Sequence, residues 1–151
     1  MFKLNRKMEY ALIALRHMCE KLPGELTSAK EISDSHHAPF DVTARVLQLM
    51  AQRGILKSEH GPHGGYQIQT DLGRVTFLEL TELILGPVKM VECLQDKKND
   101  GCELIGSCNI VSPIAHLNDR LKDFYNTITV RELVAPKTKS KGPAELQAFV
   151  V

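Results

Sequence analysis

Between Ile55 and Gln69 the chain changes its hydrophobic period, and that change limits the folds open to it. Ile55-Leu56-Lys57-Ser58 and Tyr66-Gln67-Ile68-Gln69 alternate with the period of two that a strand imposes. Between them lies the glycine-rich turn Glu59-His60-Gly61-Pro62-His63-Gly64-Gly65, so the pair predicts a β-hairpin. The chain before it reads as helix. Leu4, Met8, Leu12, Leu15, Met18 or Cys19, and Leu22 recur at steps of three and four until Pro23-Gly24 stops them. Ser28 and Glu31 predict a capping box that opens a short second helix, running to about Ser35. A turn at His36-His37-Ala38-Pro39 leads into a third helix. Val42, Val46, Leu47 and Met50 face inward there, Asp41, Arg45, Gln48 and Gln52 face outward, and Gly54 ends it. Three short helices followed by a two-stranded hairpin is the order of a winged helix-turn-helix. The fold expected is mainly α with a small β-hairpin wing.

The second half supplies a different kind of helix. Thr76 and Glu79 predict another capping box, opening a helix that Gly86-Pro87 closes after Leu85. From Val88 to Cys108 no period is visible, and three of the four cysteines lie in that stretch. A loop of such length in a small domain is expected to be functional. Ile110, Ile114, Leu117, Leu121, Phe124 and Ile128 then alternate at steps of four and three. That heptad seam predicts a long dimerisation helix pairing two chains. Thr129 caps a last short helix. The division expected is 1–75 for the winged domain, 76–134 for the cysteine loop and dimerisation helices, and 135–151 for a flexible tail.

Composition sets the outer limits. With 43% hydrophobic and 25% charged residues the 151-residue chain reads as soluble and globular. It holds no apolar run of roughly 18 residues, so no membrane partner is expected. The N-terminal residues resemble no signal peptide, which predicts a reducing cytoplasmic location. There, cysteines are read as metal ligands or redox groups before disulfides. A net charge of +1 does not announce a nucleic-acid binder, so that reading rests on local architecture. No nucleophile–base–orienter set, phosphate loop or nucleotide fingerprint occurs, and no enzyme is expected. A small metalloenzyme or electron carrier is the rival from another class, but it would have no use for the hairpin.

On the third helix, Arg45 and Gln48 share one face. Arginine can bond guanine O6 and N7, and glutamine can bond adenine N6 and N7. Lys30, Arg53 and Lys57 are candidate phosphate contacts. The wing candidates are Ser58, His60, Gly61, Pro62, His63, Gly64, Gly65 and Tyr66, with the glycines letting backbone approach the DNA. Double-stranded DNA is the partner expected. Cys19 falls on the apolar face of the first helix and reads as core.

Gly54-Ile55-Leu56-Lys57-Ser58 with Gly61-Pro62-His63-Gly64-Gly65-Tyr66 resembles the wing of the IscR/NsrR-like (Rrf-two) transcription regulators. The resemblance runs from Tyr10-Ala11-Leu12 through the cysteine loop to Ile128-Thr129-Val130-Arg131-Glu132-Leu133. It implies a dimeric regulator, a repressor in the first instance, on an inverted-repeat operator. Ile114, Leu117, Leu121, Phe124 and Ile128 would form the dimer contact. It further implies an iron–sulfur cluster, of two or four irons, on Cys93, Cys102 and Cys108. Thiolates suit such iron, zinc is the metallic rival, and reduced thiols without metal form the third option. Where IscR-like members place a histidine three residues beyond the last cysteine, this chain has Val111. NsrR-like members use an acid in the first helix of the other subunit, and the matching residue is Glu9. His116 and His17 are further candidates for that ligand position. Two other departures stand out, His60 in place of the usual wing arginine and a longer first spacer between cysteines. Some members carry no cluster and work through a thiol switch, here at Cys93 or Cys102, or through a protein partner.

Overall fold

The computed structural model describes residues 3–91, 102, 104 and 106–135. Cys93 and the tail from 136 onward lie outside the described residues. In chain order the elements are α1 (Arg6–Cys19), α2 (Ala29–His36), α3 (Phe40–Gln52), β1 (Leu56–Glu59), β2 (Gly65–Ile68), α4 (Phe77–Leu85), α5 (Val111–Thr127) and α6 (Val130–Val134).

The helix starts follow the sequence closely. Asn5 caps α1 by accepting from the Lys7 amide at 2.9 Å. Ser28, Thr76 and Thr129 each accept from the backbone N–H three residues on. The capping box is complete at Thr76 and at Thr129. At Ser28 it is only half made, because the Glu31 carboxylate turns away to Lys21 and His17. Two ends depend on left-handed backbone. His37 closes α2 at φ 53°, and Gly54 follows α3 at φ 76°, a conformation glycine reaches without penalty and other residues rarely adopt.

α1 is the centre of the core. Its Met8, Ala11, Ala14 and Leu15 are fully buried, against Ile32 of α2, Val46, Leu47 and Met50 of α3, and Leu80 of α4. Val130 and Val134 of α6 belong to the same cluster. One core therefore crosses the boundary expected at 75/76, so the packing is not divided there.

The hairpin is antiparallel, with Leu56 opposite Ile68 and Glu59 opposite Gly65. Thr27, just ahead of α2, forms an isolated antiparallel bridge to Tyr66 of β2. Its N–H donates to the Tyr66 carbonyl and the Tyr66 N–H donates to the Thr27 carbonyl, each at 2.9 Å. A second bridge, Thr76 with Thr129, sets the starts of α4 and α6 side by side. Among the described residues no helix is long and apolar enough to cross a membrane.

Candidate DNA interface and cysteine loop

The sequence divides α3 into two faces, and the fold keeps them apart. Val46, Leu47 and Met50 are at most 1% exposed. Asp41, Arg45, Gln48, Gln52 and the following Arg53 are all exposed. Phe40, the first residue of α3, is 52% exposed, an aromatic side chain that sequence reasoning passed over. Lys30 is exposed at the start of α2, and Lys57 and Ser58 are exposed on β1. Lys57 is ion-paired with Glu59 at 3.2 Å, so its charge is partly answered within the hairpin.

The wing glycines have internal reasons to be glycine. A Cβ on Gly64 would lie 2.3 Å from the Glu59 carbonyl oxygen, and one on Gly65 would lie 2.9 Å from that of Thr27. The hairpin could not close, nor meet the lead-in to α2, with larger residues there. Gly61, at φ 121° with open space around it, is the turn residue proper. His60, Gly61, Pro62 and His63 are exposed at the tip. Tyr66 instead packs against the core.

The cysteines fall in two environments. Cys19 sits at the end of α1, half-buried against the core. Burial pushes its thiol up, and nearby Arg131 offsets this only in part. Cys102 and Cys108 are half-buried too, in the segment before α5. Among the described residues no three His, Cys, Asp or Glu side chains gather as a metal site. Of the other proposed ligands, Glu9 pairs with Arg6 at 2.8 Å on its own helix. His116 is exposed on α5. His17 already uses both ring nitrogens, Nε2 with Glu31 at 2.9 Å and Nδ1 with His36 at 3.0 Å. The sequence offers His17 only as a further ligand candidate, and its partners on α2 lie far away in the chain.

α5 holds the chain at Met90. Its one buried residue is Asn118, whose Oδ1 accepts from the Met90 N–H at 3.0 Å. A polar residue in a heptad pattern ordinarily reads as surface, and nothing local signalled this bond. Tyr125 packs edge-on against Phe77 of α4, with ring centroids 4.9 Å apart. Ile110, Leu117 and Phe124 stay 56%, 47% and 59% exposed. Ile114 and Leu121 are half-buried. Ile128 leaves the seam. It lies past the helix end in extended conformation, packs on the core, and its carbonyl accepts from the Phe77 N–H at 2.7 Å.

The comparisons with known proteins agree with this architecture. The profile of the Rrf2 family, described as "Iron-dependent Transcriptional regulator", matches residues 4–136. A curated relative, the HTH-type transcriptional regulator IscR of Cronobacter sakazakii, is 25% identical over 132 residues, 87% of this chain and 80% of its own. Among solved structures, CymR, the global cysteine regulator of B. subtilis, superposes with a TM-score of 0.65 at 22% identity, covering 89% of this chain and 98% of CymR. IscR of T. potens superposes with a TM-score of 0.62 at 13% identity, covering 96% of each chain. The protein has the winged-helix fold of those regulators, and the chain belongs to the Rrf2 family of transcriptional regulators.

Proposed function

We propose that this chain is a DNA-binding regulator that works as a homodimer and whose operator affinity is set by Cys93, Cys102 and Cys108. The observation that carries the DNA reading is the outer face of α3. Arg45, Gln48 and Gln52 stand in solvent on a helix whose other side is buried, which is what a recognition helix requires. Arg45 is assigned to guanine and Gln48 to adenine. Lys30, Arg53 and Lys57 are assigned to phosphates, and the exposed tip from His60 to His63 to the neighbouring groove. The Thr27–Tyr66 bridge holds that hairpin to the entrance of α2, so wing and helices would meet DNA as one unit.

Homodimerisation is read from the stripe formed by Ile110, just ahead of α5, with Leu117 and Phe124 on the helix. A second α5 against it would remove apolar area from water. Two α3 helices then face an inverted repeat, about one helical turn apart.

The donor set of the loop fits an iron–sulfur cluster. Three thiolates are the ligands such iron prefers, and Cys102 and Cys108 are only half-buried. Glu9 of the partner subunit, or His116, would complete the ligation, and a carboxylate there suits an exchangeable position. When bound, a cluster of two or four irons supplies a centre that reacts with oxidants or nitric oxide. Cys108 lies three residues before α5, and Asn118 ties Met90 to the same helix. Any change in how the loop is held therefore bears on α5 at two points.

The test is the absorption spectrum with iron and sulfide content of full-length protein purified without oxygen. Iron and sulfide with a visible chromophore support the cluster, and Glu9→Ala is expected to alter its spectrum and reactivity. A colourless protein that still shifts DNA replaces the cluster with a thiol switch or a protein partner, and zinc without sulfide replaces it with a zinc site.

A further inference from the structure

We propose that Phe40 reads sequence in this regulator by contacting the 5-methyl group of thymine in the major groove. The inference rests on the reading of α3 as the recognition helix. Phe40 opens α3 and is 52% exposed, while the large apolar residues Val46, Leu47 and Met50 of the same helix are at most 1% exposed. A phenyl ring left half in water forgoes much of the burial that favours it, and on a face meant for a partner it keeps that gain for the complex.

Position gives the ring its role. Side chains at the N-terminal end of a recognition helix are the ones that meet base edges. Ala44 and Gln48 follow Phe40 at one and two turns, on the same side of α3. Ala44 has no bulk beyond Cβ, so this side of the helix can come close to the groove floor. Among base edges in the major groove only thymine offers a methyl group, and phenylalanine and alanine are side chains that contact it.

The electrostatics of this helix end favour a neutral base edge over a phosphate. Pro39 caps α3 without a side-chain bond. Asp41 in the first turn already answers the partial positive charge there and would repel a phosphate. Arg45, one turn in, remains free for a guanine beside the thymine.

The test replaces thymidine by deoxyuridine, which deletes the methyl group alone. Full-length protein selects high-affinity duplexes from a random library, and those duplexes are remade with deoxyuridine one position at a time. For the wild type, one substitution in a half-site is expected to weaken binding by roughly fourfold, the worth of one buried methyl. Phe40→Ala is expected to bind the thymine and uracil duplexes equally, and Phe40→Leu to keep part of the preference. Wild-type protein that binds both duplexes alike overturns the inference and leaves the regulator reading standing. Phe40→Ala protein that keeps the full preference also overturns it, by moving the contact elsewhere. If no duplex is ever selected, the reading of α3 itself falls, and this inference with it.

Discussion

Arg131 of α6 is ion-paired with Asp71, 60 positions earlier, where the hairpin hands over to α4. The same Asp71 Oδ1 accepts from the Gly73 N–H at 2.8 Å. Beside this pair the Arg131 N–H donates to the Leu72 carbonyl at 3.1 Å, and the Val130 N–H to that of Val75 at 2.9 Å. The chain that follows α5 is thus bonded to the strip joining wing to α4. Both side chains are exposed, 62% for Arg131 and 48% for Asp71. Arg131→Ala is therefore expected to cost under about 1 kcal/mol of stability. Asp71→Ala should cost more, roughly 1–2 kcal/mol, because the Gly73 amide loses its acceptor as well. Urea denaturation of the two variants checks the order.

Gly65 governs how the wing meets the helices. In Gly65→Ala a methyl group meets the Thr27 backbone at 2.9 Å, where no flexible side chain can yield. The expected loss is roughly 1–3 kcal/mol, with weaker operator binding as the Thr27–Tyr66 bridge opens. Gly64→Ala, at 2.3 Å from the Glu59 carbonyl oxygen, should be worse. Thermal denaturation together with a DNA titration separates loss of fold from loss of contact.

The apolar stripe of α5 belongs to the dimer in this account, and its substitutions should show it. Leu117→Glu and Phe124→Glu are expected to yield folded monomers in sedimentation experiments, since both residues are exposed in the protomer. Leu80→Ala, by contrast, empties a fully buried position and should cost roughly 2–5 kcal/mol in any oligomeric state.

Glu31 makes the α1–α2 contact sensitive to acid. Burial raises its carboxyl, but hydrogen bonds from Lys21 and His17 outweigh that and hold it below the ordinary value. A carboxyl whose folded pKa is depressed adds stability above its unfolded value, about 4.3, and loses it as the pH falls through the folded one. Glu31→Gln should lower the melting temperature at neutral pH and flatten its fall in acid. Melting curves across that range, compared with the wild type, are the measurement.

Local signals in the sequence were reliable where the structure depends on local bonds. Ser28, Thr76 and Thr129 cap the helices they announce, Gly54 ends α3, and the period of two marks the hairpin. Distant partners were invisible. Glu31 has the spacing of a capping box, yet Lys21 and His17, brought near by packing, claim its carboxylate. Ile128 continues the heptad count although the chain has already turned out of the helix, because a period in sequence does not record where a helix stops. Gly64 and Gly65 read as room for DNA, and the structure uses that room for its own backbone. The exposed face of α3 was legible apart from Phe40, since an aromatic at a helix start reads as core until its neighbours are known. Cys93, Cys102 and Cys108 were grouped by resemblance, and Cys93 lies outside the described residues, while nothing local announced the bond from Met90 to Asn118.

The central claim, that the loop cysteines set operator affinity, is tested most directly by titrating a selected operator duplex without oxygen. Wild type is compared with the variant carrying Cys93→Ser, Cys102→Ser and Cys108→Ser. The account predicts dissociation constants that differ by roughly 5- to 150-fold, the usual span of coupling between two sites. Both proteins should remain dimers with the same melting behaviour of the core. Identical affinities for two folded dimers would contradict it.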